Sequence, residues 1–350
     1  MNNQNLYIDF HILQTVPPSC VNRDDTGSPK TAVYGGAMRA RVSSQAWKRA
    51  IRLMFRETMD AGQLGMRTKR IVGLVAGEIR TLKPNADAEK LAAAVLKTAG
   101  LSISEDNLSD ALFFMSAAQA RALAKLAVKG NADKKACQAA LAAEPSIDIA
   151  LFGRMVASDP SLNYDAAAQV AHSISTHAVH NEYDYFTAVD DCAPKDNAGA
   201  GHLGTVEFAS ATLYRYATVN VRELSALLGR DSAAAVRAFA DALIRSMPTG
   251  RQNTFANRTL PDFVYVTLRR DQPVNLCGAF EKPVAAGGEG YVAESEKRLA
   301  NNADRVYRSF VPAPEKAYCV GGEMGKAAET LPLGNLLDAL EAQVGKSGLI

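Results

Sequence analysis

Arg39-Ala40-Arg41-Val42-Ser43-Ser44-Gln45-Ala46-Trp47-Lys48-Arg49-Ala50-Ile51-Arg52-Leu53-Met54-Phe55-Arg56 is the stretch on which the reading of this chain turns. Ser44 stands where a hydroxyl can cap the free N–H groups of a helix start. Beyond it Trp47, Ala50, Ile51 and Met54 form an apolar stripe at helical spacing, while Lys48, Arg52 and Arg56 recur every fourth residue with Arg49 beside them. One face packs and the other is a row of cations. Arg39 and Arg41 enter on the preceding segment, and the hydroxyls of Ser43 and Ser44 lie at the positive end of the helix dipole, an arrangement suited to several adjacent anions. The plainer alternative is a solvated helix face. Such a face usually intersperses Glu at i,i+4, whereas here only Glu57 and Asp60 follow, at the far end. The residues alone leave both readings open.

Outward from this stretch, Arg39 to Arg70 holds nine Lys or Arg against two acids, a local charge of +7 in a chain whose net charge is only +2. Any case for a polyanionic partner therefore rests on where charge is placed and not on its total. The 350 residues, 47% hydrophobic and 22% charged, suffice for one elaborated domain or two. The five cysteines (Cys20, Cys137, Cys192, Cys277, Cys319) are odd in number, scattered and without a Cys-x-x-Cys pair, which indicates neither a disulfide framework nor a zinc ribbon. Met1 to Leu6 lacks the basic and apolar regions of a signal peptide, and no apolar run approaches the ~20 residues of a membrane span. The expectation is a cytoplasmic protein that meets no membrane.

Leu6, Ile8, Phe10 and Ile12 alternate with Tyr7, Asp9 and His11, the period of a half-buried strand. Val16 to Gly36, rich in Pro, Ser, Asn, Asp and Gly, reads as a long exposed loop ending at a Gly35-Gly36 turn. Helical propensity dominates from about Ser44 to His180, with alanine-rich stretches at Ala86 to Thr98, Ala111 to Val128 and Ala166 to Ala178. Strand patterns return at Thr205 to Asn220 and Phe263 to Leu268. Between them Val221 to Met247 reads as two helices broken near Gly229, with Asp231 as the cap of the second. Val284 to Gly325 is mixed and reads as irregular, and an amphipathic helix over about Ala327 to Val344 closes the chain. The order predicts an α+β sheet domain carrying a helical insertion.

Asn22-Arg23-Asp24-Asp25, Tyr34-Gly35-Gly36, Arg39-Ala40-Arg41-Val42-Ser43-Ser44-Gln45, Lys48-Arg49-Ala50 and Arg52 follow one another in this sequence. So do Gly153-Arg154-Met155, Thr176-His177, Tyr185-Phe186-Thr187-Ala188-Val189-Asp190-Asp191, His202-Leu203-Gly204-Thr205 with Glu207-Phe208, and Tyr214-Arg215-Tyr216-Ala217. Together, over about Asn22 to Phe280, they resemble the CasC family, the backbone subunit of the type I-E CRISPR Cascade complex. The resemblance implies an RRM-like (ferredoxin-like) palm in two parts, 1–59 and 217–350, the latter ending in the C-terminal helix. It further implies a helical fingers insertion at 60–180 and a β-hairpin thumb with return to the sheet at 181–216.

The resemblance also implies a non-catalytic subunit, without cofactor, that polymerises head to tail along the guide RNA in antiviral defence. Sequence would be read by pairing between guide and target DNA strand, so the protein itself needs only to hold sugar-phosphate. It places Asn22, Arg23 and Lys30 in a loop near the RNA backbone, with Arg39, Arg41, Ser43, Ser44, Gln45, Lys48, Arg49 and Arg52 as a palm cradle. Met155, Thr187 and Leu203 look like wedges that displace bases at intervals. Without the resemblance, Met155 and Leu203 would read as ordinary core residues.

Other constellations are weaker. His172, His177 and His180 fall on one expected helix but are not spaced to share a face as a metal site requires. Asp24-Asp25 and Asp190-Asp191 are the basis of the rival reading, a metal-dependent ribonuclease acting on target RNA, although neighbours in an extended chain point to opposite faces. Ser44 and Lys48 lack an accompanying oxyanion-hole motif, and Gly287 to Gly290 reads as a turn.

Overall fold

The computed structural model describes residues 5–130, 132–157, 159–192, 202–322 and 324–349. Its centre is β1 (Tyr7–Ser19), a strand of 13 residues hydrogen-bonded antiparallel on both sides. The alternation seen at Leu6 to Ile12 thus continues well into the stretch expected to be a loop. That loop contains a hairpin instead, β2 (Thr31–Tyr34) and β3 (Ala37–Val42), joined at Gly35-Gly36. Both glycines take positive φ, 59° and 72°, as a two-residue hairpin turn requires. β3 leads into α1 (Ser44–Thr58), which buries Trp47, Ala50, Ile51 and Met54 as its spacing predicts, and Phe55 besides. The cap is Ser43, whose hydroxyl accepts from the Ala46 N–H at 3.3 Å; Ser44 is already the first helical residue.

A helical lobe follows. Strands β4 (Gly65–Thr68) and β5 (Phe113–Ser116) pair with each other, and around them lie α2 (Ile71–Leu82), α3 (Ala88–Thr98), α4 (Ala117–Lys129) and α5 (Lys134–Ala142). The lobe has its own core, built on Val72, Val75, Ile79, Leu96, Leu123 and Leu141. The short α6 (Ile147–Phe152) then leads back towards the sheet. Here an expectation fails: Ala166 to Ala178 is not helical. It forms β6 (Ala168–Val170) and β7 (Ser173–Ser175), because Ala168 pairs with Val219 and Ile174 with Tyr214 in a waiting sheet, and tertiary pairing overrides alanine's helical preference.

β8 (Glu182–Ala188) and the first part of β9 (His202–Asn220) form a hairpin, and β9 then runs into the sheet beside β1. Next come α7 (Val221–Leu228), α8 (Ser232–Arg245), the single turn α9 (Gln252–Phe255) and β10 (Phe263–Arg269). The break at Gly229 is where it was expected, but the Asp231 side chain makes no capping bond; Asn220 caps α7 through the N–H groups of Arg222 and Glu223. α10 (Val292–Ser309), β11 (Lys316–Val320), β12 (Glu329–Thr330) and α11 (Leu333–Gly345) complete the order. α10 occupies ground expected to be irregular. Its buried stripe is only Ser295, Leu299 and Ala303, too narrow and too polar to announce a helix.

The sheet runs β12-β11-β10-β1-β9-β7-β3-β2 and is antiparallel except for the β11–β12 pair. This is a mixed α+β architecture. Ile8, Phe10, Ile12, Val219, Val264 and Val266 face α1, α8 and α11. The opposite face of the same strands carries Asp9, His11, Tyr214, Tyr216 and Tyr265 and is covered by α10 and the 276–284 segment. The polar residues that read as a solvated face are therefore buried, and they are largely satisfied by one another. The Tyr216 hydroxyl donates to Asp9 Oδ1 at 3.0 Å and the Val274 N–H to Oδ2 at 2.9 Å. His11 Nδ1 lies 2.8 Å from the Tyr214 hydroxyl.

Burial pushes the Asp9 carboxyl up to about 6 and the His11 imidazole down to about 3. Asp9, held above its unfolded value of 3.8, contributes stability below that value that is lost as pH rises through about 6. His11, held below 6.5, contributes stability above that value that is lost as pH falls towards about 3. Between about pH 4 and about pH 6 the two slopes oppose. Relative to the native chain, His11→Gln is expected to tilt unfolding stability downward with rising pH by about 1.4 kcal/mol per unit, and Asp9→Asn upward by a similar amount. Urea unfolding across that interval measures both; identical tilts in the two variants would refute the assignment.

Candidate nucleic-acid interface

The first two turns of α1 form a ridge between two open grooves. A groove of about 660 Å³ lies on one side, lined by Asn22, Arg23, Asp24, Ser43, Gln45 and Arg49 among others. A groove of about 710 Å³ lies on the other, lined by Gln45, Lys48, Arg49, Arg52, Arg67, Phe114, Phe152 and Met155. Gln45 and Arg49 belong to both. The helix period explains this, since positions 45 and 49 are one turn apart on the edge opposite the buried stripe.

The cations there are not equivalent. Among the described residues neither Lys48 nor Arg49 has a carboxylate within ion-pair distance. Arg49 is exposed, whereas Lys48 is half-buried with its ammonium 5.9 Å from the Phe152 ring centroid. Burial draws the Lys48 amine below the usual lysine value, and a neighbouring phosphate would oppose that shift. Arg52 is different: its Nε donates to Asp148 Oδ2 at 3.0 Å and its Nη2 to the Gly65 carbonyl at 3.3 Å. The acid that local sequence lacks on this helix face comes from a residue 96 positions away.

Arg39 corrects the expectation more sharply. It is 0% exposed, and its guanidinium donates to the carbonyls of Ser175, Phe280 and Glu281 at 2.9, 2.9 and 3.1 Å. It ties β3 to the segment covering the far face of the sheet and has no surface left for an anion. Ser43 is buried and its hydroxyl is occupied by capping, while Asn22 Oδ1 accepts from the Ser43 N–H at 2.9 Å. Both build the helix start and present little of themselves. Ser44 is partly exposed, and its hydroxyl reaches only Gln45 Oε1, at 3.5 Å.

Lys30 and Arg41 stand apart from the two grooves. Arg41 donates through Nε to the Thr31 carbonyl at 3.0 Å and lies 3.3 Å from His172 Nδ1. Of the histidines, His177 is fully engaged: its Nε2 accepts from the Thr212 N–H at 3.0 Å and its ring stacks on Tyr291 at 3.6 Å. His172 and His177 belong to the β7 region of the sheet, so the helix expected to carry them does not exist.

Met155 is 85% exposed at the rim of the larger groove, and Leu203, 56% exposed, sits directly across the hairpin from Thr187. Core packing, the ordinary use of such residues, is excluded for both. Met155 is held out by its neighbours. Gly153, at φ +77°, makes the turn, and a Cβ there would come within 2.8 Å of the Tyr164 carbonyl. Arg154 is buried beside it and donates to the carbonyls of Leu162, Phe114 and Leu141 and to Gln119 Oε1, all at 2.9 to 3.1 Å. Its guanidinium lies between the Phe113 and Tyr164 rings, 4.6 and 4.8 Å from their centroids, and burial lowers it to about 10. Of Arg154, Phe114 and Tyr164 only Arg154 stands in a sequence motif, Gly153-Arg154-Met155, and nothing local marks the other two.

One member of each aspartate pair is used locally. Asp24 Oδ1 accepts from the Thr26 N–H and hydroxyl and from the Ser28 N–H, bonds that hold its carboxyl below the usual range. Asp190 Oδ1 accepts from the Cys192 N–H at 2.9 Å.

The profile of the CT1975-like protein family matches residues 8–342, nearly the whole chain. The chain belongs to that family. Among curated proteins none matches it. Among solved structures it is similar to a chain of a "CRISPR RNA-guided surveillance complex, pre-nicking", with 32% identity and a TM-score of 0.83 over 97% of this chain and 100% of the other. A chain of a "CRISPR RNA-guided surveillance complex" aligns at 30% identity with a TM-score of 0.64, over 96% and 98% respectively. No helix among the described residues of this CT1975-like chain is long and apolar enough to cross a membrane.

Gly153→Ala is expected to cost on the order of 1–3 kcal/mol in urea unfolding, because it combines a left-handed backbone with a carbonyl clash. Replacing Gly62, which has open space around its Cβ position, should cost less than half as much. Equal losses would show that the turn before Met155 is not constrained.

Proposed function

We propose that this chain is a non-catalytic backbone subunit of a Cascade-type CRISPR surveillance complex, in the role that the CasC family has in type I-E systems. In this reading the β10-β1-β9 sheet and its helices are the RRM-like palm, the lobe of α2 to α5 the fingers, and the β8–β9 hairpin the thumb. Copies polymerise head to tail on guide RNA, together with other Cascade subunits, and present its bases in segments to a target DNA strand. The whole-chain likeness to surveillance-complex structures carries the proposal. The local geometry supports it: unpaired Lys48 and Arg49 stand on a ridge between grooves, near exposed Arg23, while Met155, Thr187 and Leu203 project from the surface.

The chemistry suits a strand held without being read. Lys and Arg side chains aimed at a groove neutralise phosphates whatever the bases, and exposed apolar tips can part a stack of bases by shape alone. Of the four carboxylates on which a ribonuclease reading would depend, Asp24 and Asp190 are committed to their own turns. No feature of their surroundings favours that reading over a scaffold.

Changing Lys48 and Arg49 together to alanine is expected to weaken binding of single-stranded RNA equally for unrelated sequences. It should also reduce the slope of log affinity against log salt by about 1.4, the release expected for two phosphate contacts on a single strand. Filter binding or anisotropy at several salt concentrations reads this directly. An unchanged slope would remove the helix from the interface, and metal-dependent cleavage of complementary RNA abolished by Asp190→Asn would replace the scaffold with a nuclease.

A further inference from the structure

Arg52 lies one turn beyond Lys48 on the same helix, yet its surroundings differ from those of the other cations. Its side chain is 19% exposed and that of its partner Asp148 only 2%. Its guanidinium carbon sits 4.4 Å from the Phe114 ring centroid. Asp148 is shared two further ways: Oδ1 accepts from the Gly65 N–H at 2.8 Å and from the Ser146 hydroxyl at 2.7 Å, while Gly65 also gives its carbonyl to Arg52 at 3.3 Å. One buried carboxylate therefore joins α1 to the first residue of β4 and to the start of α6. The chain of contacts continues to the wedge. Phe114, beneath Arg52, accepts through its carbonyl from Arg154 at 3.0 Å, and Arg154 precedes Met155.

We infer that Arg52 is a positioning residue and not a phosphate ligand: with Asp148 it clamps the β4–β5–α6 unit to α1 and sets the distance from the Lys48–Arg49 ridge to Met155. The inference rests on the RNA-scaffold reading above and refines it. A phosphate at Arg52 would have to displace a carboxylate that is already buried, held by the Gly65 N–H and oriented by Ser146. Arg49, exposed and unpaired, meets no such competition. Removing either member of the clamp leaves the other charge without its partner in a largely dry contact, so the two substitutions should act through the same step.

The test uses the full chain, single-stranded RNA of unrelated sequences, and four variants: Arg52→Gln, Asp148→Asn, their double, and Arg52→Lys, with Arg49→Gln as the phosphate-contact comparison. Salt dependence of binding is measured together with dimethyl sulfate reactivity of the bound RNA. Amide hydrogen exchange of segments 65–68 and 146–155 is followed in the free protein. The clamp predicts that Arg52→Gln and Asp148→Asn leave the salt slope unchanged, blur the spacing of reactive bases alike, and are not additive in the double. Arg49→Gln lowers the slope by about 0.7. Arg52→Lys keeps the charge but not the two-armed contact, and it should speed exchange in both segments and blur the reactivity pattern while folding intact.

The inference is overturned if Arg52→Gln lowers the slope as Arg49→Gln does while Asp148→Asn leaves the pattern intact, or if exchange in the free protein is the same in Arg52→Lys as in the native chain. Because exchange is read without RNA, it reports on the clamp even if Arg49→Gln leaves the slope unchanged, the result that would instead count against the RNA-scaffold reading.

Discussion

The pairing of β1 with β9, thirteen residues against the long return strand, is the constraint to which most other features trace. β1 lies between β9 and β10, paired on both edges over Tyr7 to Leu13, and both of its faces are covered. The apolar face recruits α1, α8 and α11. The polar face, with Asp9 and His11 inside it, is tolerable because two tyrosines of β9 and a backbone amide at Val274 satisfy much of it. β9 in turn has length to spare. Beyond its contact with β1 it accepts β6 and β7 on its other edge and carries the hairpin with β8 out into solvent.

That sheet positions the candidate interface indirectly. β3 pairs with β7 and delivers the chain to Ser43, where one hydroxyl starts α1 and one asparagine side chain, Asn22, holds the turn in place. The buried stripe of α1 fixes its rotation, so Gln45, Lys48 and Arg49 have no choice but to face the grooves. The cations then divide by partner. Arg39 and Arg154 are interior fasteners that donate to carbonyls, Arg52 joins two substructures through a buried acid, and Lys48 and Arg49 remain available. A run of basic residues that looks uniform in sequence thus contains three physical classes.

Periodicity made the beginning of β1, α1, β9 and β10 legible, because each carries its burial pattern in local spacing. It failed at Ala166 to Ala178, where local preference pointed to helix and the open edge of β9 imposed strand. α10 went unseen because its buried stripe includes only one large apolar residue, Leu299. Met155 and Leu203 could not be separated from core residues by composition. Their exposure depends on a glycine turn and a cross-strand register, both of which are properties of the folded backbone.

The sequence by itself determined the α+β class, the amphipathic helix with its cation row, the Gly35-Gly36 turn and an ordered set of motifs whose resemblance lies in the same direction as the likeness to surveillance-complex chains. These are features written in neighbours three, four or two residues apart, where helix and strand geometry act directly. Tertiary structure alone decided which cations are free, since the carbonyls that hold Arg39 and the carboxylate that holds Arg52 lie roughly a hundred residues or more along the chain and no local pattern announces them. A side chain's type sets its charge, but whether that charge faces a groove, a carbonyl or a buried carboxylate is settled only when distant segments pack together.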